Sequence, residues 1–415
     1  MPLTPSQIEI VRSTAPTLQE HGTAITSEFY GTMLNEVPDL NNIFNHTNQV
    51  TGHQSQALAG ALLAYATHID DLGVLSPTVE KICHKHASLY VQPQHYEVVG
   101  TYLLRAMGTV LGAALMPDVL EAWEAAYWQL ANTMSNREAQ MYGDAEGWRD
   151  SRQFRIARKV PESSEIISFY LEPIDGEALP GFLPGQYISV KTHVPRLGYS
   201  QPRQYSLSDA PHPECYRISV SRHSGRQIDS SKAREHPGYV SNLLHDERQE
   251  GDIIAVSRPA GEFYLDPAAS SNAPVVLICS GVGVTPMIAM LKSLLARKSS
   301  RRISFIHRAR TTGVRAFGDE IRAATEMHAN VTSAVFIGTP VDGQDVKGVD
   351  YHFAGNADLR ILDKERDLCL DDERTEYFVC GTEKFMRVIG TSLLDMGVGQ
   401  DRINMEVFGT GPTPL

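Results

Sequence analysis

A chain of 415 residues is longer than one hydrophobic core can organise and points to two to four domains. With 42% hydrophobic and 21% charged residues, its composition is that of an ordinary globular protein. Its 37 basic and 49 acidic residues leave a net charge of −12, which argues against nucleic acid or an anionic membrane as main partner.

No apolar run reaches the length of a membrane span. The opening Met1-Pro2-Leu3-Thr4-Pro5 has neither the basic region nor the apolar stretch of a targeting segment, so a cytoplasmic protein is expected. The five cysteines (Cys83, Cys215, Cys279, Cys369, Cys380) are far apart and form no C-x-x-C pair, which fits a reducing compartment.

Up to about residue 150 the apolar positions recur with helical period, predicting helices over Ile8–Leu18, Thr23–Leu34, Gln54–Ile69, Pro77–Tyr90, Tyr96–Leu115 and Asp118–Met141. Short alternating strands follow, among them Gln186–Lys191, Tyr216–Ser221 and Asp252–Ser257, punctuated by Pro and Gly. From about residue 273, apolar strands (Val275–Ser280, Ile303–His307, Val331–Ile337, Tyr377–Cys380) alternate with helical segments, the pattern of a parallel α/β sheet. The expectation is an all-α domain over 1–147, an antiparallel β domain over 148–267 and an α/β domain over 268–415.

Seven of the fifteen histidines lie in the helical part. Val79, Ile82, His86 and Leu89 share one stripe, so His86 faces the core and His84, roughly 200° round the helix, faces outward. The position alone leaves two readings, a satisfied core histidine or a ligand. Gln54 opens the apolar stripe Leu58, Leu62, Tyr65, whereas His53 is turned about 100° from it. Tyr30 sits on the Phe29/Tyr30–Met33/Leu34 side of its helix, and Pro38 and Phe44 mark a short helix and the corner after it. Glu138 falls on the stripe Tyr127, Ala131, Met134, Met141, where a buried carboxylate needs a partner. Read from the residues alone, that partner is Arg137 or Arg105 in a helix-end salt bridge.

These positions resemble the globin family in order and spacing, and Phe29-Tyr30, Ile43-Phe44-Asn45, Asn48-Gln49, Gln54 with Ala57-Leu58, Lys85-His86, Pro93 with Tyr96, and Asn136-Arg137-Glu138-Ala139 are similar to its flavohaemoglobin branch. The resemblance implies His86 as the proximal ligand of haem b iron, with Tyr96 and Glu138 hydrogen-bonded at or near its second ring nitrogen. It implies Tyr30 and Gln54 as distal donors, Phe44 stacked on the haem and Leu58 walling the ligand cavity.

The β part carries Pro184-Gly185-Gln186-Tyr187, then Arg203-Gln204-Tyr205-Ser206-Leu207, which resembles the R-x-Y-S flavin signature of the ferredoxin-reductase family. Gly238-Tyr239-Val240-Ser241 stands where that family starts its diphosphate-binding helix, and Pro259–Phe263 where it closes its β-barrel. The resemblance implies FAD, with Arg203 on the diphosphate, Tyr205 stacked on the isoalloxazine, Ser206 near N5, and Tyr187, Gln204, Gly238, Tyr239, Val240 and Ser241 lining the site.

After an apolar strand, Gly281-Val282-Gly283-Val284-Thr285-Pro286 resembles the G-x-G-x-T-P element that binds NADH or NADPH. There Thr285 is expected to N-cap the next helix and Pro286 to take its first position. Cys380-Gly381-Thr382 with Phe385-Met386 is similar to the nicotinamide-side C-G-P motif, with Thr382 where proline is usual. Glu406-Val407-Phe408-Gly409 resembles the E-x-F-G ending that covers the flavin.

Arg308, Arg310 and Arg315 are either readers of a 2′-phosphate or solvated charge. No function is attached to Thr410–Leu415. The family likeness, which spans nearly all 415 residues, implies a monomeric nitric oxide dioxygenase acting on O₂, NO and NAD(P)H. A sensor globin with a maintenance reductase, or a flavin reductase serving external acceptors, are the alternatives.

Overall fold

The chain's first helix, α1 (Pro5–Ser13), starts from a reciprocal cap: the Thr4 hydroxyl accepts from the Gln7 N–H while the Gln7 side chain takes the Thr4 N–H. The computed structural model describes residues 2–143, 148, 150–223, 225, 238–269 and 271–409. The boundary expected at 147 and the tail from Thr410 lie outside the described residues.

The helical lobe continues with α2 (Ala15–Glu36), a 3-10 turn at Pro38–Asn42, α3 (His46–Val50), α4 (His53–Thr67), α5 (Ser76–Ser88), α6 (Pro93–Leu111) and α7 (Pro117–Gly143). The first two helices meet at Thr14, not between Leu18 and Thr23 as expected. Pro16 explains the shift, because proline is excluded from a helix interior but suits a first turn. The stretch expected to be a break contains Gly22, which packs on Ala59 of α4: a Cβ there would meet the Ala59 Cβ at 3.4 Å, ordinary contact distance. At the same crossing the buried Thr26 hydroxyl donates to the Ser55 carbonyl at 2.8 Å. The lobe's core is Ile25, Phe29, Met33, Leu62, Tyr65, Leu103, Met107 and Trp123.

Next come β1 (Arg152–Pro161), β2 (Ile166–Pro173), β3 (Tyr187–Val194), β4 (Tyr199–Ser206), β5 (Tyr216–Ser221), α8 (Tyr239–Asp246) and β6 (Ile253–Val256). They form a six-stranded sheet in the order β4-β3-β6-β1-β2-β5, with antiparallel pairs β1/β2, β2/β5 and β3/β6. An isolated bridge, Leu207 with Ile218, joins the residue just past edge strand β4 to edge strand β5.

The last part runs β7 (Val275–Ser280), α9 (Val284–Ala296), β8 (Ile303–Ala309), α10 (Gly318–Met327), β9 (Val331–Ile337), β10 (Phe353–Ala354), β11 (Glu376–Cys380), α11 (Glu383–Asp395) and β12 (Ile403–Glu406). Its sheet, β10-β9-β8-β7-β11-β12, is parallel throughout. Every residue of β7 is buried, which is why that strand reads as an uninterrupted apolar run.

The chain packs as two compact units. One holds Met1–Arg152, Ser189–Arg203 and Ala255–Glu262; the other holds Gln153–Ile188, Gln204–Ile254 and Phe263–Leu415. No helix among the described residues is long and apolar enough to cross a membrane. All five cysteines are free.

Candidate functional site

Three helices bring one polar cluster together. α5 supplies His86, α6 places Tyr96 one turn past its opening Pro93, and α7 buries Ala131, Met134, Glu138 and Met141 along one stripe. The His86 Nδ1 lies 3.0 Å from the Tyr96 hydroxyl and 2.9 Å from Glu138 Oε1, and the Tyr96 hydroxyl donates to that same oxygen at 2.6 Å. Glu138 is 1% exposed. The arginines that could have neutralised it are engaged elsewhere, Arg137 with Glu80 at 2.8 Å and Arg105 with Glu36 at 2.9 Å.

With both contacts at Nδ1, the proton of a neutral imidazole sits on that nitrogen, and Nε2 keeps a lone pair for a metal. Burial first, and then the neighbouring Glu138 charge, push the Tyr96 phenol far above the ordinary tyrosine range, so it remains a donor. This donor set fits a haem iron: one neutral nitrogen ligand, made electron-rich by a buried carboxylate behind it.

His86 faces the core as expected, meeting Tyr96 and Glu138 there, and Val79 and Ile82 pack against the same buried cluster. The fully buried positions of α5 are Cys83, Ala87 and Ser88, because α5 sets Cys83 and Ala87 against Ala131 and Met134 of α7. The expectation for His84 needs correction, since it does not face outward. Its side chain is only 21% exposed, its Nδ1 accepts the Gly261 N–H at 3.2 Å, and its Nε2 lies 3.5 Å from Glu80. The segment Ala255–Glu262 belongs to the same compact unit and covers it. Although ligand atoms of Glu80, His84 and Glu262 fall within 4.8 Å of one another, a ring accepting at Nδ1 carries its proton on Nε2. His84 Nε2 therefore turns an N–H toward Glu80 and has no lone pair for a metal.

On α2 and α4, the Gln54 amide donates to the Tyr30 hydroxyl at 3.4 Å, and the Tyr30 ring meets Phe44 edge-on at 5.6 Å. Because Gln54 donates to the phenol oxygen, the Tyr30 hydroxyl keeps its own hydrogen to donate. Burial pushes that phenol up to about 12, an effect the Gln54 hydrogen bond partly offsets. Leu58 is half-buried, and His53 is exposed as its position predicts.

The residues assigned to flavin lie on β3 (Tyr187), β4 (Arg203, Gln204, Tyr205, Ser206), the start of α8 (Gly238, Tyr239, Val240, Ser241) and around the end of β12 (Glu406, Phe408). Ser206 and Val240 are buried and Phe408 is exposed, while the others are half-buried. Gly238 precedes the first turn of α8, where an added Cβ would lie 2.2 Å from Ser241 Oγ. Arg203 donates to the Pro202 carbonyl at 2.7 Å and to Gln201 Oε1 and Thr47 Oγ1 at 3.3 Å each.

The nucleotide-side loop leaves β7 through Gly281, at φ +56°, and a 3-10 turn over Gly281–Gly283. The helix α9 then begins at Val284, earlier than expected, so Thr285 is not its cap and Pro286 is not its first residue. The Thr285 hydroxyl donates to the Val282 carbonyl at 3.0 Å. Pro286 takes the third position, where its missing N–H is still one that no helical carbonyl would have accepted.

A Cβ on Gly283 would lie 2.3 Å from the Cys380 carbonyl oxygen. Cys380 stands in register with Cys279 on β7 and Glu406 on β12. Full burial holds its thiol well above the ordinary cysteine range, so it is no nucleophile. Thr382 in place of proline caps α11, accepting from the Phe385 N–H at 3.3 Å. Arg308 donates to Asn356 at 3.3 Å, Arg310 is exposed and pairs with Glu165 at 2.5 Å, and Arg315 donates to the Asp350 carbonyl at 3.0 Å.

Sequence reasoning missed two supports. The Tyr127 hydroxyl donates to the Tyr96 carbonyl at 2.5 Å, an approach that Gly100 permits: a Cβ there would lie 2.4 Å from the Tyr127 ring. Gln201, two residues before the R-x-Y-S run, is fully buried. Neither carries a local pattern, since Tyr127 of α7 reaches α6 and most partners of Gln201 lie 155 or more positions away.

A helical lobe with a carboxylate-backed histidine, followed on the same chain by an antiparallel sheet and a parallel α/β sheet with glycine-lined strand ends, defines a globin joined to a reductase. The globin family model matches residues 27–134, and that of the oxidoreductase NAD-binding domain matches 277–390. The flavohemoprotein of Bordetella parapertussis is 46% identical over 414 residues, covering 99% of each chain. That of Chromobacterium violaceum is 47% identical over 407 residues, covering 97% of each. The chain belongs to the flavohemoprotein family.

Among solved structures, the flavohemoglobin of Malassezia yamatoensis, with bound FAD and heme, superposes with a TM-score of 0.84 at 27% identity, covering 98% of this chain and all (100%) of that one. The flavohem-like FAD/NAD binding domain of nitric oxide dioxygenase from Vibrio cholerae matches 63% of this chain and 100% of its own length, at 32% identity and a TM-score of 0.54.

Proposed function

We propose that this chain is a nitric oxide dioxygenase holding haem b and FAD, in which two NO and two O₂ become two nitrate ions at the expense of one NADH or NADPH. The balance closes: each NO takes one electron net, and the nicotinamide supplies two. When bound, haem supplies an iron centre for O₂ and NO, and FAD supplies a two-electron acceptor that releases electrons singly.

The carrying observation is the buried Glu138 carboxylate on His86 Nδ1, shared with Tyr96. It gives the imidazole anionic character, which favours O₂ activation over storage. Tyr30 and Gln54 would turn a hydroxyl and an amide toward the ligand, Phe44 would stack on the haem and Leu58 would wall the cavity. In the reductase half Arg203 and the α8 start at Gly238–Ser241 would hold the FAD diphosphate. Tyr187, Gln204, Tyr205 and Ser206 would frame the ring, and Glu406 and Phe408 would close it. The backbone of Gly281–Pro286 receives the nucleotide diphosphate, with Cys380 and Gly381 orienting the nicotinamide. We assign the chain to three domains, 1–147, 148–267 and 268–415, in a cytoplasmic monomer, a placement the free cysteines support.

Purified holoprotein should show a globin Soret band and a flavin shoulder that both change on NADH addition, and should consume NO in air. His86→Ala should abolish NO consumption while NADH-dependent dye reduction persists. NO removal surviving that substitution would overturn the reading.

A further inference from the structure

Gln201 is a wholly buried side-chain amide, 0% exposed, on edge strand β4. Its Nε2 donates to the carbonyls of Asn41 at 2.9 Å, Phe44 at 3.1 Å and Ser200 at 3.1 Å. Its Oε1 accepts from the His46 N–H at 2.8 Å and from Arg203 at 3.3 Å. Three of these five partners are backbone groups of the corner between the 3-10 turn and α3, where helical bonding lapses. A buried backbone group without a partner is costly, so this one amide stands in for the secondary structure the corner lacks.

Its surroundings repeat the pairing. Ser200 N–H donates to Asn42 Oδ1 at 2.8 Å, the Tyr199 hydroxyl meets His46 Nδ1 at 2.7 Å, and Arg203 reaches Thr47 at 3.3 Å. All these residues lie within one compact unit. Few other side chains can serve. Glutamate has the shape but offers the carbonyls no donor, and methionine has no donor and only a weakly accepting sulfur.

We infer that Gln201 is a positioning residue that makes the haem-side corner and the flavin-side strand one piece, so that occupancy of the two cofactor sites is linked. The inference rests on the proposed assignment of haem to Phe44 and FAD to Arg203. One end of the amide is bonded to the carbonyl of Phe44, whose ring abuts Tyr30. The other is bonded to the Arg203 guanidinium. FAD held by Arg203 fixes the amide and with it the corner, and linkage requires the effect to run equally in reverse.

The test is haem transfer from the holoprotein to excess apomyoglobin, timed with FAD bound and after FAD removal. In the wild type, FAD removal should speed haem loss at least about fivefold, the lower end of ordinary coupling. In Gln201→Met the ratio should fall to near one. A substitution that merely loosens the fold would speed both rates and keep the ratio. Tyr199→Phe, which cuts a neighbouring bond but spares the amide, should keep most of the coupling.

If Gln201→Met does not fold, hydrogen exchange of residues 41–47 in the wild type decides: slower exchange with FAD bound supports the link, and equal exchange overturns it. An unchanged ratio in a folded Gln201→Met also overturns it. A protein that purified without a Soret or flavin band would instead defeat the cofactor assignment itself.

Discussion

The helical lobe and the nucleotide-side strand ends make their sites by opposite means. In the lobe the chemistry sits on side chains: His86, Tyr96 and Glu138 meet within 3.0 Å at one ring nitrogen, and Gln54 reaches Tyr30 at 3.4 Å. At the ends of β7 and β11 the working surface is backbone, and glycines keep it bare. The difference predicts different kinds of fragility. The lobe should tolerate isosteric changes in fold but not in chemistry, whereas the strand ends should tolerate changes of side-chain chemistry but no added atoms.

Gly283→Ala should give the largest effect. Its Cβ would meet the Cys380 oxygen at 2.3 Å and the Gly381 nitrogen at 2.8 Å, both backbone atoms on a central strand end. Urea titration should record a loss of about 3 kcal/mol or more, and NADH should no longer bleach the flavin. Retention of both would break the contrast.

Glu138→Gln, by comparison, should keep the fold and the haem. NO consumption should nevertheless fall by about 10–100-fold, the usual cost of losing a partner behind a metal ligand. An unfolded Glu138→Gln would mean that the carboxylate is structural.

Tyr30→Phe sharpens the comparison through pH. The phenol's ordinary value is 10.0 and burial raises it to about 12. Between those values the unfolded chain gives up the proton and the folded one does not, so stability falls with rising pH. The loss is on the order of 2–3 kcal/mol over that window. Tyr30→Phe should lack this share of the alkaline decline, visible as a shallower drop in Tm above pH 10.

The smallest effect belongs to Thr382→Ala. Loss of its cap on the Phe385 N–H should cost about 1 kcal/mol, with haem spectra unchanged.

What the sequence made legible followed from local pattern. Val275–Ser280 is a nearly unbroken apolar run whose ends are the strand ends, because the strand lies inside a parallel sheet and is buried throughout. Glu138 was readable as a buried acid from its stripe alone, but its partnership with Tyr96 and His86 needed family likeness. Features set by distant chain were invisible. His84 is covered by residues 177 positions away, and the amide that holds the His46 N–H comes from 155 positions away. Thr285 misled because a cap was inferred from residue type, whereas the 3-10 turn over Gly281–Gly283 had already started the helix.

The five cysteines bear on durability. Burial raises the thiols of Cys83 to about 12 and Cys369 to about 11, lifts Cys279 and Cys380 well above the ordinary range, and raises Cys215 as well. Nitrosation and peroxide oxidation proceed through thiolate. Held as neutral thiols, these sulfurs meet such reagents in their least reactive form. Wear under sustained exposure should begin at Cys215, the one thiol of the five that is only half-buried.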